Sequence, residues 1–251
     1  MILYISLSLP VGVLIGLLIN YLADVLPATR RFSQPNCEHC QKPWTFVSYV
    51  FRMRCPHCKQ GRPLRWVFVN VGSVLACIFL VIFPLSGLDF WAALPFMTFL
   101  AVIAVIDCEH GLVLIQTSLF GLVLCFGYGV FLHGLTLTLI GGVCGLLIML
   151  TWFLLGLTFS QIATTFRGGK ASPLPFGFGD VFAGAFLGLL TGWSGIIGGF
   201  VIGIIVFAVY GLVYIGVLLV TGRYRPFATV LPLTPFLIAG SILMLYLNVG
   251  I

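Results

Sequence analysis

Charged side chains are scarce. They make up 7% of the chain, against about 25% in a soluble globular protein, and only six of the 251 residues are acidic. That shortage excludes an ordinary water-soluble domain. With 61% hydrophobic residues and recurrent apolar runs of bilayer length, the chain reads as a polytopic membrane protein. No basic n-region precedes the first apolar stretch, Leu3 to Leu26, which is also too long for a signal-peptide core. It is expected to remain as a first transmembrane helix. Internal repeats and low-complexity tracts are lacking as well.

Basic residues are concentrated where acidic ones are few. Eight of the twelve lie between Arg30 and Arg65, and the others are Arg167, Lys170, Arg223 and Arg225. In a membrane protein such clustering reports orientation before it suggests nucleic acid, because cytoplasmic loops collect Lys and Arg. Hydropathy predicts spans over 3–26, 65–84, 90–107, 113–132, 135–158, 174–192, 195–220 and 230–249. With the N-terminus outside, loops 27–64, 159–173 and 221–229 fall inside and hold every basic residue, Arg65 standing at the border. The outside turns at Pro84–Asp89, His133–Gly134 and Gly192–Ser194 carry no Lys or Arg. The expected architecture is all-α: about eight transmembrane helices, both termini outside, and one small cytoplasmic zinc-ribbon-like loop between helices 1 and 2. The organisation is 1–26, a first helix; 27–64, a four-cysteine loop; and 65–251, a transmembrane domain.

The loop is too short for a core of its own and calls for a staple. Cys37-Glu-His-Cys40, fourteen residues, then Cys55-Pro-His-Cys58 supply one. Two CxxC pairs at this separation read as a tetrahedral four-cysteine zinc site. Disulfides and a redox dithiol are the other readings of the four thiols. A reducing cytoplasmic side disfavours the first, and the lack of a βαβ scaffold disfavours a thioredoxin-like motif. His39 and His57 are expected as neighbours rather than ligands. Cys77, Cys108, Cys125 and Cys144 are expected as small buried apolar residues.

Of the six acids, Glu38 belongs to the loop, Asp24 to the end of the first helix and Asp89 to an outside turn. Asp107, Glu109 and Asp180 remain. The threading puts Asp107 at the end of the third helix and Asp180 at the start of the sixth, at one membrane depth. A carboxylate held near hydrocarbon is a functional candidate by default. Two that approach one another titrate in coupled steps, so that one can act as base while the other acts as acid. Simple capping of two helix ends accounts for them equally well at this point.

The whole set, in order along the chain, resembles the type IV prepilin peptidases, bifunctional membrane aspartic proteases of bacteria. "GLLINYLADVLP" (Gly16 to Pro27) is similar to the family's N-terminal segment, and the double CxxC follows it. "AVIDCEHGLVL" resembles the first catalytic motif, "GFGDV" the second, and "LPLTPFLIAG" (Leu231 to Gly240) the final-helix proline motif. The resemblance implies that Asp107 and Asp180 form the catalytic pair. Gly177 and Gly179 would let the backbone bend and approach substrate, with Glu109 and His110 in support; three residues on, His110 can face Asp107 on a helix, and a plain interfacial histidine is the equal alternative. The implied substrates are prepilins or pseudopilins, cut at the cytoplasmic face of the bacterial inner membrane. Many bacterial members also methylate the new N-terminus with S-adenosylmethionine. Phe182 stands where the family usually has Lys, Leu114 and Ile115 where it has Pro and an acid, and Asn70 where a Glu is tied to methylation. Proteolysis is therefore the stronger expectation. A degenerate relative that binds pilin-like helices without cutting is the alternative, and a proton-relaying transporter or redox carrier a third.

Overall fold

The computed structural model describes residues 2–37, 39–52, 54–85, 87–166, 177–222 and 231–247. Glu38, Arg167, Lys170, Pro173, Pro175, Arg223, Arg225 and the outer residues of the spans expected at 174–192 and 230–249 lie outside them. Eight helices follow in order: α1 (Ile2–Thr29), α2 (Phe46–Phe51), α3 (Leu64–Ile82), α4 (Phe90–His110), α5 (Ile115–His133), α6 (Leu135–Phe166), α7 (Phe178–Val220) and α8 (Thr234–Leu247). Among the described residues there are isolated β-bridges, Asn36 with Pro43 and Arg54 with Gly61, but no strands. Six helices, all but α2 and α8, are long and apolar enough to cross a membrane. Their exposed side chains are apolar too: Val123 is 75% exposed, Leu212 73% and Phe68 72%. Hydrocarbon is the solvent such faces require.

The chain divides into two compact units, Met1–Val105 and Ile106–Ile251. In the first, α1 and α3 run antiparallel along a stripe of small and amide residues. A Cβ on Gly12 would stand 2.6 Å from Val74 Cα, and one on Gly16 2.8 Å from Asn70 Cα. One turn further, Asn20 Nδ2 donates to Gly16 O at 2.9 Å and to Trp66 O at 3.4 Å. The steps 12, 16, 20 against 74, 70, 66 are the four-residue ridge by which helix backbones approach closely in membranes. Asn70 lies in this stripe, its Nδ2 donating to Trp66 O at 2.7 Å.

In the second unit, α6 lies antiparallel to the first half of α7. A Cβ on Gly145 would stand 2.1 Å from Gly184 O, and one on Gly141 2.4 Å from Gly188 O. Gly192 then breaks α7 with φ 70° and ψ −176°, a conformation essentially closed to other residues. The chain turns back here, as the contacts of α8 require. Met244 lies against Gly198, Ser241 against Gly199 and Leu237 against Gly203, so the second half of α7 is antiparallel to α8. Asp180, in the first turn of α7, nevertheless bonds Thr234, in the first turn of α8. Both ends of α7 thus flank the same end of α8. The spans expected at 174–192 and 195–220 are the two halves of this hairpin. With α8, which has 14 residues, the described residues hold eight apolar helical segments. α6 is longer than its expected span because helix continues past residue 158 to Phe166.

Candidate functional site

Two clusters of chemical side chains stand out, one in each unit. In the second unit, α4 ends at Gly111, whose φ of 60° and N–H bond to Asp107 O at 2.8 Å form a left-handed helix cap. The Asp107 side chain therefore leaves a fixed last turn. It continues the buried face that carries Phe96, Leu100 and Ile103, and it is itself only 4% exposed.

Asp180 is the third residue of α7. Its N–H donates to Gly177 O at 3.1 Å, and its Oδ2 accepts from the Gly177 N–H at 3.0 Å. The bond from the Gly177 N–H is one half of a capping box, the half that glycine can make without a side chain, and it accounts for one carboxylate oxygen. The other, Oδ1, accepts the hydroxyl of Thr234 at 2.8 Å. Thr234 is fully buried at the start of α8, and its backbone N–H and hydroxyl group also lie within reach of Asp107. The charge of Asp180 is felt at Asp107. Two carboxylates from different helices thus meet at one threonine, a geometry suited to sharing a proton. The capping reading of Asp180 is correct as far as it goes, but it uses only half of the side chain.

The remaining expected site residues are placed differently. Gly179 is buried, and a Cβ there would stand 2.3 Å from Val113 O, so its smallness serves packing on the segment after α4. Gly177 is exposed with an ordinary φ of −84°, and the nearest atom to a Cβ would be Asp180 Oδ2 at 3.8 Å. It leaves open space beside the carboxylate without needing glycine's backbone freedom. Glu109 and His110 occupy the exposed last turn of α4, with His110 Nε2 4.0 Å from Glu109 Oε2. His110 turns to Glu109 rather than to Asp107, whose neighbours are Asp180 and Thr234. Phe182 packs edge-on against Phe178, itself in contact with Phe153. Thr234 was not singled out from the sequence. The one sign of it was its place in "LPLTP", where it looks like any helix-starting threonine.

In the first unit, Cys37, Cys40, Cys55 and Cys58 bring their sulfurs within 4.8 Å of one another. Cys37 Sγ and Cys58 Sγ are 3.6 Å apart, Cys40 Sγ and Cys55 Sγ 3.7 Å. Four sulfurs around one zinc, with bonds of about 2.3 Å at tetrahedral angles, would be about 3.8 Å apart, so the cluster fits such an ion. Each CxxC forms the same turn. Gln41 N–H donates to Cys37 O at 2.9 Å and Lys59 N–H to Cys55 O at 3.0 Å, with Gln41 and Lys59 both at positive φ. The backbone N–H groups of Cys58 and His57 are directed to the Cys55 sulfur. That favours the thiolate a metal needs. His39 and His57 are exposed and stand outside the cluster, as expected. Of the other cysteines, Cys77 and Cys125 are buried and Cys144 half-buried, but Cys108 is exposed, on the last turn of α4.

The loop has a core after all, because α1 contributes to it. Cys37, Trp44, Tyr49 and Cys55 pack together with Tyr21. Tyr49 donates to Asp24 Oδ2 at 2.5 Å, and Arg65 pairs with Asp24 Oδ1. Burial first, and then the Asp24 charge, push the Tyr49 hydroxyl far above its ordinary range, keeping it a donor. Arg62 lies over the rings of Trp44, Tyr49 and Trp66 at 4.4–4.9 Å, and it bonds Tyr49 O. Asp24, set aside in the sequence, is the anchor of this clasp. No protein-family model matches the chain, and neither does any curated protein or any solved structure.

Proposed function

We propose that the chain is a membrane aspartic endopeptidase that removes the leader peptide of type IV prepilins or pseudopilins. The observation that carries this reading is the meeting of Asp107 and Asp180 at the buried hydroxyl of Thr234. One carboxylate, ionised, takes a proton from water as the water oxygen bonds the scissile carbonyl carbon. The other, protonated, gives its proton to the carbonyl oxygen. Collapse of the tetrahedral species returns that proton to a carboxylate and sends the first to the departing amine. Cleavage takes place at the cytoplasmic face of a bacterial inner membrane, with both termini outside, an orientation supported by the basic residues of loops 27–64, 159–173 and 221–229. The partner is a pilin-like protein with a basic leader and an apolar helix, not nucleic acid.

The ion of the four-cysteine cluster is zinc, in a structural role, since four thiolate ligands leave no open position. The proposal stops at cleavage. Position 70 is a neutral amide packed against Gly16, and Asp24, the only carboxylate of α1 and α3, is paired with Arg65. Methylation of the new N-terminus with S-adenosylmethionine is assigned no residue.

The test is cleavage of a co-expressed prepilin, followed by its size shift, with wild type, Asp107→Asn and Asp180→Asn. Wild type is expected to cut, and each variant to lose about 10²–10⁴-fold while still inserting in the membrane. A variant that cuts normally, or a wild type inactive on several prepilins, removes the reading. A protein that binds pilin-like helices without cutting would then replace it.

A further inference from the structure

Asp107 and Asp180 have the same side chain but different surroundings, and the difference decides which of them carries the shared proton. Both oxygens of Asp180 accept a hydrogen bond, and the one from the Gly177 backbone cannot be reversed. Oδ2 takes the backbone N–H of Gly177, and Oδ1 takes the hydroxyl of Thr234. A donor on each oxygen favours the ionised form, and the second lone pair of each oxygen is left to take a proton from water. Asp107 Oδ2, by contrast, is buried and has no hydrogen-bond partner among the described residues. A bare anionic oxygen there is costly, whereas a protonated one is a donor held ready for a substrate carbonyl. Thr234 has a single hydroxyl hydrogen. Once it is directed to Asp180, Thr234 has only its backbone N–H to give to Asp107, while its hydroxyl oxygen can accept a hydrogen from a protonated Asp107.

We infer that Thr234 is a positioning residue that fixes the proton distribution of the pair, holding Asp180 as the ionised base and leaving Asp107 as the protonated acid. The inference rests on the peptidase reading for its catalytic meaning, but the distribution of the proton can be read without activity. Thr234 comes from α8, so the arrangement depends on the first turn of α8 docking beside the first turn of α7.

The experiment uses the full chain in detergent or nanodiscs and two variants. Thr234→Val keeps the shape and removes the hydroxyl, and Thr234→Ser keeps the hydroxyl. Dicyclohexylcarbodiimide, an apolar reagent that adds to protonated and not to ionised carboxyl groups, is applied near neutral pH, and the adducts are mapped by mass spectrometry. Wild type and Thr234→Ser should be labelled at Asp107 well above Asp180. In Thr234→Val the preference should shrink several-fold as Asp180 becomes labelled. In parallel, prepilin cleavage by Thr234→Val should lose about 10–100-fold in kcat with KM held within about twofold, and Thr234→Ser should recover most of it. Labelling of Asp180 or of neither residue in wild type, or a pattern unchanged in Thr234→Val, overturns the inference. If wild type cleaves no prepilin, the peptidase reading fails, and the labelling pattern still decides the role of Thr234.

Discussion

Thr234 Oγ1 donates to Asp180 Oδ1 at 2.8 Å across 54 positions of sequence, so the first turn of α8 closes on the first turn of α7. Neither residue could reach the other if α7 were a straight helix. The reversal at Gly192 folds the second half of α7 back along α8 and leaves the start of α7 beside the start of α8. A glycine at one end of the helix pair is therefore a condition for the carboxylate site at the other.

Gly192 should accordingly resist substitution. Its φ of 70° and ψ of −176° are strained for any residue with a Cβ, which would also stand 3.3 Å from the His133 ring. Gly192→Ala is expected to destabilise the protein by about 1–3 kcal/mol, measured as a lowered thermal unfolding midpoint in one detergent. Gly216→Ala, in the second half of α7 with nothing within 4 Å of the added methyl, is the control and should leave the midpoint unchanged or slightly raised. Equal midpoints for the two variants would contradict the hairpin.

The two glycines before Asp180 should behave oppositely. A methyl at Gly179 would meet Val113 O at 2.3 Å, so the start of α7 must move away from the chain after α4. Gly179→Ala is expected to cost about 1–3 kcal/mol and to lower cleavage with it, because the shift carries Asp180. Gly177→Ala meets nothing closer than 3.8 Å and keeps the N–H that bonds Asp180, so stability should stay within about 0.5 kcal/mol of wild type. Thermal midpoints and prepilin cleavage of the pair, measured side by side, check this. A severe Gly177→Ala defect with normal stability would instead mean that substrate occupies the open space there.

What could be read in the sequence was what local spacing or hydropathy encodes. Cys37, Cys40, Cys55 and Cys58 carry their geometry in two short turns, so their spacing announced the cluster. The helices declared themselves by apolar length, and the break in α7 by the glycine at its place between two spans. Asp107 and Asp180 were visible because a carboxylate near hydrocarbon needs a reason. Thr234 was not, since a threonine before a proline reads as an ordinary helix start, and its contact is set by docking of α8. His110 was open between two places, the face of Asp107 and a plain interfacial position. Three-residue spacing allowed either, and in the structure it lies at the exposed helix end, 4.0 Å from Glu109. Asp24 looked like a plain helix-end acid until Tyr49 and Arg65, 25 and 41 positions away, were folded onto it.

That clasp can be loosened without touching the metal cluster. Tyr49→Phe keeps the ring packed against Trp44 and Tyr21 and removes only the hydroxyl that bonds Asp24. A hydrogen bond to a charged group contributes about 1.5–3 kcal/mol, so the loop should become at least about tenfold more sensitive to protease while metal content stays at the wild-type level. Arg62→Lys should act in the same direction, because an ammonium cannot stack flat among Trp44, Tyr49 and Trp66. Protease resistance unchanged in both variants would show that the clasp does not hold the loop.

Metal removal is the complementary perturbation. Four sulfurs within 4.8 Å make one tetrahedral site, so purified wild type is expected to carry one zinc per chain by elemental analysis. Cys37→Ser and Cys55→Ser each take away a buried ligand, one from each CxxC, and each should drop the zinc to background. A strong chelator should do the same and leave the loop sensitive to protease, since the small core of Trp44 and Tyr49 is built around Cys37 and Cys55. Asp107 and Asp180 belong to the other compact unit, so cleavage should fall by much less than in the aspartate variants. Unchanged zinc in either serine variant would refute the ligand set. A metal-free wild type whose thiols cycle between dithiol and disulfide would instead make the two CxxC pairs redox groups. A carrier of electrons would then have to be considered in place of a structural knuckle.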